Sequence, residues 1–386
     1  MKRKITLGLI ALAVALVLVT SLCMVACKKN DNGESTLPAL SATGIEHETK
    51  FGGVYIKITI EDFNALGFAF GDSLNVTFSN GFELLDLPYF NGFYVDMGEP
   101  LLVGYPGYPY IRAGYNNGPD MYLSASLSET DTATITLAAK GKYLDVQESL
   151  DIHYSDVQGD LTDAEFANFR AANVGNLKEN VLYRSASPVD NQHNRAAVSD
   201  RLAEAAGVGF IINLSDDEEE LAAHIAKEDF DSPYARSLYE QGKIVPLSMN
   251  MAFKSEGFSA KLVGGLTAAS RNDGPYLVHC VEGKDRTGFV CMVLEGLAGA
   301  TYQEIVDDYM ITYDNYYGIN AESAPTKYRI IKEKYIEVML HCVTGDGDVD
   351  ITTADYAHYV REYLLGIGMA EADVDALTEK LVQPQA

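Results

Sequence analysis

The sequence predicts two folded parts in series: a small all-β domain, then an α/β domain with a parallel sheet and a helical C-terminal tail. Three observations predict it. Short runs of β-branched and aromatic residues alternate through the first part, strand-like and helix-like segments alternate through the second, and the remainder has helical spacing. A chain of 386 residues accommodates two domains, and 47 % apolar with 22 % charged residues is ordinary for a globular protein.

Residues 1–26 have the layout of an export signal. Lys2, Arg3 and Lys4 precede a nearly uninterrupted apolar run over residues 5–22, and small residues lead to Cys27. Met24-Val25-Ala26-Cys27 resembles a bacterial lipoprotein signal, with Met24 where Leu is usual. The resemblance implies that Cys27 is lipidated and becomes the new N-terminus. The competing reading keeps residues 5–22 as an uncleaved membrane anchor, for which the run is long enough. Either way the expectation is an exported protein held at the membrane and facing outward. Residues 27–44 are small, polar and aperiodic, and read as a tether.

Residues 45–155 read as the β domain. Val54 to Ile60, Leu74 to Phe78 and Thr132 to Leu137 alternate with period two, separated by turns such as Ser79-Asn80-Gly81. Between Pro88 and Tyr122 lie seven tyrosines on Gly- and Pro-rich sequence. They could stack on a ligand, but filling a small core that has no Trp explains them more simply. The stretch from Asp62 to Phe78 and the YPGY segment resemble the C-terminal β domain of adenosyltransferases that act on S-adenosylmethionine with hydroxide. No catalytic motif accompanies that likeness, so the domain reads as accessory.

Residues 156–386 carry the alternation. The pattern gives a strand at Gly209 to Leu214, a helix at Glu218 to Lys227, a strand at Lys243 to Leu247 and a helix at Ser259 to Ser270. A strand at Tyr276 to His279 and a helix at Arg286 to Leu297 follow. Asp346-Gly347-Asp348-Val349-Asp350 hints at a calcium loop but lacks the required Gly and Glu, and reads as a polar turn. Five irregularly spaced cysteines make neither a disulfide framework nor a zinc site, and no cofactor or metal is expected. Cys291 and Cys342 read as structural thiols. The net charge of −26 disfavours nucleic acid as a partner.

The chemistry concentrates between the last strand and its helix, in His279-Cys280-Val281-Glu282-Gly283-Lys284-Asp285-Arg286-Thr287-Gly288. A loop wrapping from a strand end to a helix N-terminus turns its amides inward, so residues 281–286 form a nest for a tetrahedral anion that the helix dipole also favours. The same field stabilises Cys280 as a thiolate nucleophile at neutral pH. Arg286 can fold back and grip two phosphate oxygens with its planar fork. Thr287 is placed to donate its hydroxyl to the sulfur as it departs. Gly283 and Gly288 permit conformations that a side chain would block. His279 reads as a brace for the loop, since a thiolate needs no base.

HCVEGKDRTG resembles the signature of the Cys-dependent tyrosine phosphatase superfamily. Its GKDRT core is similar to that of the bacterial tyrosine-specific phosphatases, whose members also attack phosphoinositides. Asn168-Phe169-Arg170, Leu182-Tyr183-Arg184-Ser185 and the tail from Tyr363 to Leu381 resemble further stretches of that family, so the likeness spans about residues 165 to 385. It implies hydrolysis of phosphomonoesters through a phosphocysteine, with phosphotyrosine protein as the first substrate and phosphoinositide or inositol polyphosphate next. The other class of reading is a noncatalytic surface-binding lipoprotein. The family's usual proton donor, an Asp about thirty residues before the Cys, has no counterpart here: that position falls on Leu247 to Met251. The candidates are Asp285 inside the loop and Asp217, beside Asp216 in the acidic run after a strand. Asp285 is the preferred one, because carboxylates at a helix start need no catalytic role.

Overall fold

The computed structural model describes residues 37–345 and 349–384. The signal-like segment, Cys27 and the first three residues of the Asp346–Asp350 loop lie outside them. No helix among the described residues is long and apolar enough to cross a membrane. The chain divides into two compact units between Gln147 and Glu148.

In the first unit, seven strands close into a barrel: β1 (Ala39–Glu48), β2 (Gly53–Ile56), β3 (Ser73–Phe78), β4 (Glu83–Phe90), β5 (Pro100–Val103), β6 (Ile111–Tyr115) and β7 (Thr132–Ala139). Their order is β1-β2-β6-β5-β4-β3-β7, antiparallel at every described pairing except β4 with β5. Closure leaves no edge strand to protect. The alternation read in the sequence points Leu74, Val76 and Phe78 of β3 inward, where they meet Ile45, Val54, Ile56, Ile111 and Ile135. Tyr89 is wholly buried, donates its hydroxyl to Asn64 at 2.9 Å and packs on Phe63, so at least this tyrosine is core.

Two boundaries differ from the expectation. β1 begins at Ala39, inside the stretch read as a tether over residues 27–44. Its first residues present Ser41 and Ala42 outward, and a register shift between Leu40 and Thr43 breaks the period, so the composition resembles that of a linker. The β unit also ends before residue 155: Tyr154 lies in the second unit, stacked on Tyr316 at 4.8 Å between ring centroids.

The second unit contains a five-stranded sheet of β8 (Arg170–Ala171), β9 (Leu182–Ser185), β10 (Phe210–Asn213), β11 (Ile244–Pro246) and β12 (Tyr276–His279), in the order β11-β10-β12-β9-β8. The four longer strands run parallel, but β8 pairs antiparallel with β9, so the sheet is mixed rather than purely parallel. Every residue of β9, β10 and β12 is buried, as expected of central strands covered on both faces. Helices Glu218–Ile225, Glu256–Ser270 and Asp285–Leu297 stand close to their predicted positions, and Ala196–Ala205 and Pro233–Glu240 add two that the sequence reading lacked. Among the described residues, five further α-helices from Tyr302–Tyr317 to Glu371–Leu381, with a π-helical turn at Lys332–Ile336, make the tail helical, as expected.

Pairing sets Asn213 of β10 against His279 of β12, and His279 against Ser185 of β9. The C-terminal ends of three parallel strands therefore lie level, and the loops that leave them gather at one edge. Ligands bind at that edge in open α/β sheets.

Candidate active site

The loop after β12 is shaped by residues that admit no alternative. Gly283 has φ +67°, and a Cβ there would lie 2.2 Å from the carbonyl oxygen of Ser185. A Cβ on Gly288 would lie 2.1 Å from the ring of Tyr309. These two glycines seat the loop against β9 and the helix against Tyr302–Tyr317. The helix begins at Asp285, and no backbone N–H of residues 281–286 donates to a protein acceptor among the described residues. Free amides at a helix N-terminus are the donors that such a nest would use.

His279 is fully buried, and its Nδ1 faces the Cys280 carbonyl oxygen at 3.2 Å. Burial, with some help from the nearby Arg286 charge, lowers its pKa to about 4, so the ring is neutral at physiological pH. It braces the loop. Cys280 is 3 % exposed at the bottom of a cavity of about 320 Å³ lined by Val281, Glu282, Asp285, Arg286 and the wall Met249-Asn250-Met251. Arg286 reaches across it, and its Nη1 donates to the carbonyl of Met249 at 3.0 Å and more weakly to Leu214 at 3.4 Å. The acceptors are themselves fixed, because Met249 N–H donates to Leu214 and Leu214 N–H to His279. Cys280 and Arg286 thus share one cavity.

A buried network holds the loop from below. Arg184 of β9 donates through Nη2 to the carbonyls of Gly283 (3.1 Å) and Lys284 (3.3 Å), and through Nη1 to Asp308 at 2.6 Å. Asn168 donates to the same Gly283 carbonyl at 3.1 Å, and Arg170 joins Asp308 at 2.8 Å. Burial opposes ionisation of Asp308, but the two guanidinium groups prevail and hold its carboxyl well below the usual range. Glu295, in the helix Asp285–Leu297, is pushed well up by burial and by the Asp308 charge.

The helix Tyr302–Tyr317 supplies a phenol to each exposed part of the loop. Tyr309 donates to Asp285 at 3.3 Å and Tyr316 to the Glu282 carbonyl at 2.7 Å, while Tyr317 accepts from Lys284 at 3.2 Å. Lys284 also pairs with Glu282 (3.3 Å) and Asp285 (3.7 Å), so its charge is largely spent within the loop. Asp285 has its pKa raised by burial against the pull of Lys284, which favours the protonated form a donor needs.

Other expectations resolve differently. Asp217 does not line the cavity: its carboxylate caps the helix Glu218–Ile225, accepting from Glu220 N at 2.9 Å in a reciprocal capping box. The acidic run is thus explained by helix initiation. Asp216 is buried and accepts from Asn213 at 2.8 Å. Thr287 is buried with no hydrogen-bond partner for its hydroxyl, so the expected bond to sulfur is not formed in this state. Cys291 is a buried thiol whose pKa burial drives up, and Cys342 is half-buried. No cluster of metal-ligating side chains occurs among the described residues. Sequence reasoning missed the wall at Met249 and Met251 and the bracing role of Asn168 and Arg184, although it had singled out the segments carrying the latter two.

The loop between the parallel strand Tyr276–His279 and the helix Asp285–Leu297 thus brings Cys280 and Arg286 to one cavity. Residues 165–383 match the tyrosine phosphatase family, and the chain belongs to that family. A tyrosine-protein phosphatase of Nostoc commune is 48 % identical over 44 residues, which is 11 % of this chain and 15 % of that protein. Among solved structures, the core catalytic domain of the S. cerevisiae PP-IP phosphatase SIW14 with citrate is 19 % identical, covering 45 % of this chain and 88 % of that one at a TM-score of 0.26. P. aeruginosa TpbA in complex with pTyr is 18 % identical, covering 46 % and 96 % at a TM-score of 0.25.

Proposed function

We propose that the chain hydrolyses phosphomonoesters through a phosphocysteine, with phosphotyrosine protein as substrate. The carrying observation is that Cys280 and Arg286 line one cavity whose far wall is Met249-Asn250-Met251. Cys280 attacks phosphorus as a thiolate, the P–O bond to the leaving group breaks, and Asp285 gives that oxygen its proton. Water then attacks the phosphocysteine, Asp285 takes back a proton, and the S–P bond breaks to release phosphate and restore the thiolate. Arg286 and the loop amides hold the three equatorial oxygens throughout. Thr287 is the group that would hydrogen-bond the departing sulfur.

Arg286 is the one cation lining the cavity among the described residues, and Met249 and Met251 add apolar surface on either side of Asn250. Both features suit an aryl monophosphate better than a polyanion. Lys284 supports phosphoinositide or inositol polyphosphate as a second reading, but its two carboxylate partners count against it. Phosphate release from phosphotyrosine peptide, p-nitrophenyl phosphate, phosphoinositide vesicles and inositol hexakisphosphate, with native protein and Cys280→Ser, tests the reading. Retained activity in Cys280→Ser would refute the mechanism, and a preference for inositol hexakisphosphate would refute the substrate. Binding without turnover in the native protein would leave the surface-binding reading instead.

The proposal places the enzyme outside a bacterial membrane, anchored by lipid on Cys27 or by residues 5–22. The layout of Lys2 to Cys27 supports it. Fractionation of native and Cys27→Ser protein separates the two anchors: release by the substitution means lipid, and retention means the apolar run.

A further inference from the structure

In the barrel unit, one buried cation lacks a full set of partners. Arg112 of β6 is 1 % exposed; its Nε donates to Glu48 at 3.0 Å and its Nη2 to the Phe51 carbonyl at 3.2 Å. Its Nη1 is buried with no acceptor among the described residues. A buried guanidinium N–H without an acceptor is costly, so most such groups are paired. The surrounding backbone is cut to hold this side chain. A Cβ on Gly53 would lie 2.2 Å from Nε, and one on Gly114 would lie 2.5 Å from Nη1.

Arg112 also lines a cavity of about 440 Å³ with Phe51, Phe93, Tyr108, Tyr115 and Asn116. That volume falls within the usual range for small-molecule sites, and four of these residues offer aromatic faces. The guanidinium carbon lies 5.8 Å from the Phe93 ring centroid, and Phe51 is 57 % exposed. Glu48 already neutralises Arg112, and its carboxylate accepts from the backbone N–H of Lys50 (2.8 Å) and Phe51 (3.1 Å) as well. The site therefore needs an acceptor atom with a flat apolar body more than it needs a high negative charge.

We propose that this cavity binds a small planar ring carrying an exocyclic acceptor oxygen, as carboxylate or amide, with the ring among Phe93, Tyr108 and Tyr115 and the wall adjusting so that the oxygen reaches the buried Nη1 of Arg112. The site belongs to the barrel alone and does not depend on the phosphatase reading.

The test is a ligand-observed NMR titration of the full chain with benzoate, benzamide and, as a non-planar control, cyclohexanecarboxylate. Saturable binding of a planar probe is expected on the order of 1 mM, at least about fivefold tighter than the control. Benzoate ahead of benzamide would assign the anionic form and the reverse order the neutral form; both support the site. Phe93→Ala should weaken binding about tenfold or more, as should the paired change Glu48→Gln with Arg112→Met, which leaves no lone buried charge. Should the double variant fail to fold by circular dichroism, Phe93→Ala decides. No saturation by either planar probe up to about 20 mM, or undiminished affinity in Phe93→Ala, would overturn the proposal.

Discussion

Arg184 donates to the carbonyl oxygen of Gly283 at 3.1 Å from beneath the loop that carries Cys280. The donor sits on β9, which the sequence separates from the loop by about a hundred residues, so the central sheet rather than local sequence sets the loop's floor. The same side chain holds Asp308, which in turn holds Arg170. The loop thus rests on a charged network that cannot relax in parts.

Arg184→Met should therefore act on stability and on turnover together. It leaves Asp308 with Arg170 as its remaining guanidinium partner and Gly283 with Asn168. Breaking a buried pair from one side costs about 3–5 kcal/mol. Asn168→Ala removes the donor to Gly283 and Thr312 and the acceptor of Arg170 and Asn315, and should cost at least about 1–3 kcal/mol. Urea midpoints and kcat/KM with p-nitrophenyl phosphate check both; an Arg184→Met protein as stable and active as the native one would remove the bracing role.

Gly283→Ala asks whether backbone shape alone sustains the site. The positive φ costs a side chain about 1–2 kcal/mol, and the 2.2 Å approach to Ser185 forces a shift of the loop or of β9. Turnover is expected to fall by at least about a hundredfold while far-UV circular dichroism stays native. Near-native kcat would show that the loop tolerates displacement.

Asp285→Asn and Asp217→Ala separate the two carboxylates that the sequence left in competition. Losing a general acid costs about 100- to 10,000-fold in kcat, and the loss should be largest for phosphotyrosine, whose leaving oxygen needs a proton. It should be smaller for p-nitrophenyl phosphate, whose leaving group departs readily as an anion. Asp217→Ala should leave kcat unchanged and cost about 1 kcal/mol as a lost helix cap. Equal losses on both substrates in Asp285→Asn would make that residue structural rather than a proton donor.

What could be read in advance follows physical locality. Cys280, Gly283 and Arg286 fall within one turn of chain between a strand and a helix, so spacing was enough to place them together. The central strands Phe210–Asn213 and Tyr276–His279 were legible because both faces are buried and the sequence is continuously apolar. β1 was not, because its outward residues are small and its period is broken at Leu40. Asp217 stayed an alternative to Asp285 because a carboxylate at a helix start looks the same in sequence whether it caps or catalyses. The contacts of Arg184 and Asn168 to Gly283, and the wall at Met249, depend on pairings between distant segments that no local pattern encodes.

His279 gives the site a stability dependence of defined sign. Its pKa is held at about 4 in the folded protein, chiefly by burial, against an ordinary value of 6.5. Between those two pH values the unfolded chain binds the proton and the folded chain does not. Stability from this residue is therefore complete above pH 6.5 and is lost as pH falls toward 4, a total of about 3 kcal/mol. His279→Asn removes the titration while keeping a donor near the Cys280 carbonyl. Carboxylate titrations elsewhere are common to both proteins, so the difference between their urea stabilities at pH 7 and pH 4.5 isolates this one residue. The native protein should lose about 2 kcal/mol more than the variant across that interval. Parallel losses would mean that the ring takes up its proton alike in the folded and unfolded chains, so that burial does not depress it.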